Sequence, residues 1–583
     1  MSMTEERPAV MEAKQRPVIL NGDSLTIDQL VAVTRHAAPV ECDPRTDARV
    51  LASEQLIARI VEKYFRDWKS GDHTATEYGV TTGFGEFKDK TIAPGDLQQL
   101  QRNLLLSHSV GVGENTDPDD LSNYFPPEVV RGALVTRLNA FLKGHSGVRS
   151  VLVKIVQALL NERVIPLVPL RGSVGASGDL CPLSHLFSVL LGAGRFYIAG
   201  DDRLRDAHEL PAILGFPREE MLPTFKEGLA LVNGANFSSA MLALAVHDAE
   251  RLATAADQNA ALALEAVAGC TRALDPKVHQ ARGQLGQIES ARRIRELVTG
   301  SKLVERAGAV QDAYSLRCAP QVHGAVLDAI AYARGVAERE LNAATDNPLF
   351  FPDGSEPFDA QFSANWPEWY RGDHRLAYSA GNFHGEPLAI AADLLAIAVA
   401  ELASIAERRT QLMLDRDQNR GLPPNLTTRP GVNSGLMIAQ YTAASIVSEN
   451  KVLAHPASVD SIPTGANTED HVPMSTYAGR KLRTVIGNVQ AVLSIERLVA
   501  SQAIEWRVAI IEGAGTAKTM EEADAQAHAF EEIVAGRAPH IAGYLGQGTR
   551  ASYLEVRTAT EPVLFDRPLH DDIRRLRAAT FGG

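Results

Sequence analysis

The sequence predicts a mostly α-helical protein with a central bundle of long helices and a smaller mixed part before it. Four stretches are poor in glycine and proline and longer than an average globular helix of about 11–12 residues: residues 237–267, 388–414, 436–454 and 485–511. Alternation typical of a strand is confined to short pieces near the N-terminus and around residues 196–198. Helices that are apolar on most of their surface pack inside a bundle, so we expect one large helical unit with smaller elements attached.

The elements are expected in the following order. Residues 1–16 are polar and predict a flexible tail. A short extended piece begins at Val18 and ends at Asn21-Gly22, after which Ser24 or Thr26 is expected to begin the first helix. We expect four regions in the chain: the tail 1–16, an N-terminal region 17–230, a central long-helix bundle 231–512 and a C-terminal helical region 513–583.

The most apolar stretch, residues 388–414, is not expected to cross a membrane. Asp393 and Glu401 interrupt it and leave seven apolar residues between them, whereas a span needs about 20. The N-terminus has no charged start followed by an apolar run, so no signal peptide is expected. The chain has 4 cysteines and none forms a CxxC pair, which suits a reducing compartment. We therefore expect a cytoplasmic protein.

Charge and motifs exclude several classes of partner. The chain has 71 acidic and 58 basic residues, a formal net charge of −13, and a surface of this sign repels nucleic acids. Residues 512–519 resemble a phosphate-binding loop, but Ala517 stands where the glycine before the lysine is required. Gly192-Ala193-Gly194 lacks the third glycine of a dinucleotide-binding turn. No histidine or cysteine spacing fits a metal site, so neither metal nor nucleotide is expected.

The segment richest in chemical possibilities is residues 171–185, RGSVGASGDLCPLSH. One interpretation is a tight turn that leads into a helix, with Asp179 as the N-cap. In the other, the small residues allow the Gly178 nitrogen to attack the Ala176 carbonyl carbon and close a five-membered ring. Loss of that water, and of the Ser177 hydroxyl as a second water, would leave a methylidene group, which is a carbon electrophile. The composition leaves both interpretations open.

The same segment resembles the methylidene-imidazolone segment of the histidine and aromatic amino-acid ammonia-lyase and aminomutase family, with Cys181 where alanine is usual. Further similar segments are Glu77–Gly85, Asn103–Gly113, Lys226–Gly234, Val310–Val322, Glu340–Phe350, Gly381–Pro387 and Ser448–Met474. The resemblance runs from about Val18 to Arg507. It implies a fumarase/ammonia-lyase-like helical fold and a homotetramer whose active sites combine residues from three subunits.

The resemblance also implies a reaction and a set of residues. The family removes ammonia from an α-amino acid, using a 4-methylidene-imidazol-5-one formed autocatalytically from Ala176-Ser177-Gly178, and places that segment in the N-terminal region. Tyr78 stands at the position of the catalytic base, and Arg317 at that of the residue binding the substrate carboxylate. A tyrosine pKa is ordinarily about 10, so such a base needs a positive field. The other implied pocket residues are Asn233, Gln311, Tyr314 and Phe383.

Two positions predict the substrate. Ser107-His108 is the pair of histidine-type members, although some tyrosine aminomutases share it. Glu469 stands where enzymes for aromatic substrates generally have glutamine; a carboxylate accepts an imidazole N–H but is left unpaired beside a phenyl ring. We expect conversion of L-histidine to trans-urocanate and ammonia.

Two alternatives stay open. The first is a tyrosine or phenylalanine ammonia-lyase or 2,3-aminomutase with the same electrophile, since these enzymes share the catalytic residues. The second is a non-catalytic helical scaffold, which the joint presence of Tyr78, Ser177 and Arg317 disfavours. The fumarase–aspartase group is disfavoured because its GSSxMPxKxNP motif is missing from the sequence.

Overall fold

A computed structural model describes residues 16–72, 76–353, 376–515 and 520–582. The chain divides into two compact units, each made of separate stretches of sequence. The first unit comprises Met1–Leu244, Val336–Ala389 and Ser458–Tyr477. The second unit comprises Ala245–Gly335, Ile390–Ala457 and Ala478–Gly583. The four-region division of the sequence given above stays a prediction.

In its described residues, the first unit contains one long helix, Asp47–Ser70, a set of shorter helices and three small sheets. Its helices are Ile27–Arg35, Asp47–Ser70, Leu97–His108, Pro127–Phe141, Ser150–Asn161, Leu180–Ser188, Leu210–Leu214, Arg218–Met221 and Glu227–Val232. Val18–Leu20 pairs in parallel with Val40–Cys42. Val164–Pro166, Arg195–Ile198 and Asp201–Asp206 form an antiparallel sheet in that order, and Leu349–Phe350 pairs with Ala377–Tyr378.

The long helices carry most of the remaining chain. Asn236–Ala266, Ala319–Leu341, Glu386–Leu414 and Ser475–Ala509 each contribute residues to both units. The helices wholly within the second unit are Pro276–Arg282, Leu285–Leu297, Tyr314–Arg317, Met437–Leu453, Met520–Val534, Ala538–Ala542, Thr549–Ala559 and His570–Phe581. The predicted mostly helical fold with long helices is confirmed.

The start of the first helix shows how local sequence sets an element. The Thr26 hydroxyl accepts the Gln29 backbone N–H at 3.2 Å, and the Gln29 side chain accepts the Thr26 N–H at 2.9 Å. This reciprocal pair satisfies two backbone donors that the helix itself leaves unpaired. Thr26 is therefore the N-cap, which is one of the two residues that the sequence offered for this position.

Among the described residues, Glu386–Leu414 is the one helix long and apolar enough to span a membrane. In its most apolar window 56% of the residues are buried inside the protein, which is typical of a core helix. The burial of this apolar helix therefore agrees with the expectation from the sequence that it belongs to a helical bundle.

The second unit also buries charge. Arg409 and Glu496 are both fully buried and form an ion pair, with Arg409 Nη2 at 3.2 Å from Glu496 Oε2. Asn259 Nδ2 donates to the same Oε2 at 3.1 Å. A buried pair of this kind depends on each partner, because removing one leaves the other charge uncompensated.

Candidate active site

The Ala-Ser-Gly segment, Ala176-Ser177-Gly178, is clamped on one side by Gly234. The Gly234 N–H donates to the Ser177 carbonyl at 3.2 Å, and the Asp179 N–H donates to the Gly234 carbonyl at 2.8 Å. Gly178 has a φ of +76°, and a Cβ there would lie 2.1 Å from the Gly234 carbonyl carbon. Only glycine fits at 178, so the segment has the small third residue that the predicted ring closure requires.

Two further backbone contacts hold the other side of the segment. The Met474 N–H donates to the Val174 carbonyl at 2.9 Å, and the Gly385 N–H donates to the Gly175 carbonyl at 3.2 Å. Gly175 itself has a φ of +79°, a left-handed conformation that favours glycine. The segment is thus fixed from both ends by backbone hydrogen bonds, and this cradle fits the methylidene-imidazolone implied by the family resemblance.

Asp179 lies directly before the helix Leu180–Ser188 but does not cap it with its side chain. Its carboxylate accepts the Ser238 N–H at 2.9 Å, the Ser238 hydroxyl at 3.0 Å and the Thr476 hydroxyl at 2.5 Å. Burial raises the pKa of Asp179, and these donors counteract the rise. The sequence interpretation therefore placed Asp179 correctly and was wrong about what its side chain bonds.

A cavity of 1430 Å³ opens beside the Ala-Ser-Gly segment. All the residues that line it belong to the first unit. Among them are seven predicted site residues: Tyr78, His108, Ala176, Ser177, Asn233, Phe383 and Glu469. Residues from six separate stretches of the sequence therefore meet at one cavity.

The Glu469 carboxylate divides its two oxygens between different partners. Its Oε1 accepts the Ser177 hydroxyl at 2.8 Å, and its Oε2 accepts the Thr464 hydroxyl at 2.5 Å. Glu469 thus lies within hydrogen-bond reach of the residue predicted to become the electrophile. Sequence reasoning singled out Glu469 but missed Thr464.

Tyr78 lies partly buried at the cavity wall, where the Gly85 N–H donates to its hydroxyl at 3.4 Å. Burial raises the pKa of Tyr78, and the negative charge of Glu469 raises it further, while the Gly85 contact lowers it. A base active at neutral pH needs a shift in the opposite direction. In the single chain, then, the phenol of Tyr78 is held protonated.

His108 ends the helix Leu97–His108, and its Nδ1 lies 3.0 Å from the Ser107 hydroxyl. Burial lowers the pKa of His108, so the ring is neutral at pH 7. The chain that follows is held by His185, whose Nε2 accepts the Gly111 N–H at 3.0 Å. Burial lowers the pKa of His185 to about 4, which keeps Nε2 available as an acceptor.

Asn233 is buried at the cavity, and hydrogen bonds to neighbouring residues hold it in place. Its Nδ2 donates to the Asn347 carbonyl at 3.0 Å, and its own carbonyl accepts Arg137 Nη1 at 2.8 Å. Lys226 and Asp346 form a fully buried ion pair at 2.8 Å next to these groups. Sequence reasoning missed Arg137 and the ion pair, although Lys226 and Asp346 lie within two of the segments quoted for the family resemblance.

Gln311, Tyr314 and Arg317 lie together in the second unit. Arg317 Nη1 donates to Gln311 Oε1 at 2.6 Å, and the guanidinium carbon lies 4.6 Å from the centre of the Tyr314 ring. The Tyr314 side chain is 72% exposed. Arg317 thus contacts both Gln311 and Tyr314, but none of the three is among the residues lining the cavity.

Across the described ranges, no group of three or more histidine, cysteine or acidic side chains is arranged to hold a metal ion.

The family model for aromatic amino acid lyases matches residues 25–528, which is most of the chain. The chain therefore belongs to the aromatic amino acid lyase family and is a carbon–nitrogen lyase. This confirms the family resemblance found in the motifs.

Individual relatives are similar over nearly their whole length. The histidine ammonia-lyase of Caldanaerobacter subterraneus subsp. tengcongensis is 46% identical over 503 residues, 86% of this chain and 90% of that protein. The crystal structure of histidine ammonia-lyase from Trypanosoma cruzi is similar with a TM-score of 0.76 and 36% identity, covering 96% of this chain and 92% of that one. Tyrosine aminomutase from Streptomyces globisporus gives a TM-score of 0.79 and 31% identity, with 97% of each chain covered.

Proposed function

We propose that the protein removes ammonia from L-histidine to give trans-urocanate. The observation that carries this proposal is the Glu469 carboxylate, which lies in the cavity with Oε1 at 2.8 Å from the Ser177 hydroxyl. An imidazole N–H satisfies such a carboxylate, whereas a phenyl ring leaves it desolvated at a cost of several kcal/mol. The names of the similar relatives support the same substrate.

Ala176, Ser177 and Gly178 are the residues that would hold the methylidene-imidazolone. The Gly178 nitrogen bonds to the Ala176 carbonyl carbon and one water leaves; the Ser177 hydroxyl and its α-hydrogen leave as a second water. Once formed, the group would supply a carbon electrophile for the substrate amine, and the amine would then be a better leaving group. The clamp formed by Gly234 keeps the reacting backbone in place.

The remaining cavity residues orient the substrate and move the proton. Glu469 accepts the imidazole N–H, and the neutral His108 lies in the same cavity as a second polar contact for the ring. Phe383 and Asn233 also line the cavity, Phe383 as an apolar surface and Asn233 as a polar contact. Tyr78 accepts the β-proton, which requires a cation near its hydroxyl to offset the effects that raise its pKa.

The carboxylate of the substrate is assigned to Arg317, with Gln311 and Tyr314 beside it. A guanidinium fork suits a carboxylate, and Arg317 is already oriented by Gln311. Because these residues do not line the cavity of the same chain, we propose that another subunit of a homotetramer supplies them. We further propose that the protein is cytoplasmic, as its cysteine content suggests.

The second candidate is a tyrosine or phenylalanine lyase or 2,3-aminomutase. Its support is the tyrosine aminomutase structure, which this chain resembles at 31% identity over nearly the full length. The two candidates share the Ala-Ser-Gly segment and Tyr78, and they differ in what Glu469 contacts.

The purified protein is to be incubated separately with histidine, tyrosine and phenylalanine. We expect urocanate absorbance from histidine and no unsaturated acid from the other two. An unsaturated acid or a β-amino acid from tyrosine, with no product from histidine, would establish the second candidate instead.

Intact-protein mass spectrometry tests the electrophile itself. The wild-type chain should weigh two waters less than its sequence, and Ser177→Ala should match its sequence. Ser184→Ala is the control, because this buried serine lies on the following helix and has no hydrogen-bond partner for its hydroxyl among the described residues. It should be dehydrated like wild type. A wild-type mass equal to that of the sequence would favour a non-catalytic scaffold.

A further inference from the structure

Glu469 lies at the end of a tight loop closed by Thr464. The Thr464 N–H donates to the Glu469 carbonyl at 2.9 Å, and the Glu469 N–H donates to the Thr464 carbonyl at 3.3 Å. Between them Gly465, Ala466 and Asn467 have φ values of +53°, +53° and +65°. A left-handed backbone is unfavourable for alanine, so the contacts around the loop must maintain this conformation.

The far side of the loop is anchored by two contacts outside it. The Val472 N–H donates to the Ser461 hydroxyl at 3.0 Å. His384 Nε2 lies 3.1 Å from the His471 carbonyl, close enough to donate to it. The backbone on both sides of Glu469 is therefore fixed, and the freedom that remains is that of its side chain.

The Thr464 hydroxyl removes part of that freedom. It donates to Glu469 Oε2 at 2.5 Å, while Oε1 accepts the Ser177 hydroxyl at 2.8 Å. Dehydration of Ser177 would take away the donor at Oε1 and leave the donor at Oε2 in place. Oε1 would then be the oxygen available to a substrate, with its direction set by Thr464.

We propose that Thr464 is a positioning residue for substrate recognition: its hydroxyl holds one oxygen of Glu469 so that the other meets the imidazole N–H of the substrate. The inference rests on the proposed function and adds a residue that controls specificity without touching the substrate. A carboxylate carried by a flexible side chain loses conformational entropy on binding, and a fixed donor reduces that loss in advance.

The experiment compares Thr464→Val with Thr464→Ser. Valine keeps the shape of threonine and removes the hydroxyl, whereas serine keeps the hydroxyl and removes the methyl group. Thr442→Val is the control, because Thr442 is exposed and its hydroxyl donates to the Ile438 carbonyl of its own helix at 3.2 Å, its one hydrogen bond among the described residues. Thr464→Ala is made as well, so that the comparison survives if the valine variant does not fold.

We expect Thr464→Val and Thr464→Ala to raise KM for histidine about tenfold and to change kcat less. This factor of ten corresponds to about 1.4 kcal/mol, which is near the lower end of what a hydrogen bond to a charged group contributes. Thr464→Ser and Thr442→Val should stay within about twofold of wild type, on the scale of a few tenths of a kcal/mol. The mass should show complete dehydration in all four variants.

A double-mutant cycle with Glu469→Ala separates positioning from a general effect on folding. Without the carboxylate, Thr464→Val should change kcat/KM less than about twofold. Three outcomes would overturn the inference: an unchanged KM in Thr464→Val or Thr464→Ala, an equal loss in Thr464→Ser, or additive effects in the cycle. In each case, turnover of histidine by the wild-type protein would still uphold the proposed function. Failure of the wild-type protein to convert histidine would overturn both.

Discussion

Replacing Gly178 with alanine places a methyl group inside the backbone that clamps the Ala-Ser-Gly segment. The added Cβ would lie 2.1 Å from the Gly234 carbonyl carbon, 2.3 Å from its oxygen and 2.6 Å from the Ala235 nitrogen. All three are backbone atoms, so no flexible side chain can move away. A normal carbon–carbon contact is roughly 3.5 Å, and the two segments must therefore separate by about 1.4 Å.

The separation has a calculable effect. It disrupts the Gly234–Ser177 and Asp179–Gly234 hydrogen bonds, each contributing about 1 kcal/mol. Alanine at a φ of +76° adds about 1–2 kcal/mol of backbone strain. The sum is about 3–4 kcal/mol. It lowers the population of the arrangement in which the Gly178 nitrogen can attack the Ala176 carbonyl carbon, and with it the rate of dehydration, by about two to three orders of magnitude.

Intact-protein mass spectrometry at intervals after synthesis measures this rate. Gly178→Ala should remain at the mass of its sequence long after wild type has lost both waters. Gly71→Ala is the control: this glycine also has a positive φ, +86°, but its Cβ would meet nothing within 4 Å. It bears only the backbone strain, outside the site, and should be dehydrated at the wild-type rate. A Gly178→Ala protein dehydrated as fast as Gly71→Ala would refute the reasoning.

Two further predictions concern stability. Burial lowers the pKa of His185 to about 4 from 6.5, so the unfolded chain binds the proton first as pH falls, and stability is lost from about pH 6.5 downward. Between pH 7 and pH 5, the free energy of unfolding measured in urea should fall by roughly 1–2 kcal/mol more in wild type than in His185→Gln. An equal fall in both proteins would contradict this prediction. Arg409→Met leaves Glu496 buried without its cation and should lower the free energy of unfolding by about 3–5 kcal/mol. Thermal unfolding checks this, and Arg409→Met combined with Glu496→Leu should recover part of the loss.

The long helices and the chemical segment could be predicted from the sequence because their determinants are local. A run without glycine or proline and three consecutive small residues are visible without knowing the fold. The partners of Asp179 were beyond such reasoning, since Ser238 and Thr476 lie 59 and 297 residues away in the chain.

The direction of the Tyr78 pKa was equally inaccessible, because it depends on burial and on a carboxylate far away in sequence. Thr464 was missed for another reason. It is only five residues from Glu469, but a run of left-handed residues turns the chain back between them. Helical or strand periodicity gives no indication of such a turn.

The raised pKa of Tyr78 leads to a prediction about assembly. Burial and Glu469 both oppose the phenolate, so a tyrosine base needs a cation near its hydroxyl. Arg317 does not line the cavity of its own chain. If another subunit supplies Arg317, then each active site takes Tyr78 from one chain and Arg317 from a different chain. Tyr78→Phe and Arg317→Gln therefore inactivate a site through changes in different subunits. Each variant alone should be inactive, and co-expression should restore roughly a quarter of the sites under equal random mixing. Mixed tetramers, verified by native mass spectrometry, that show no gain in activity would mean that both residues serve a site from the same chain.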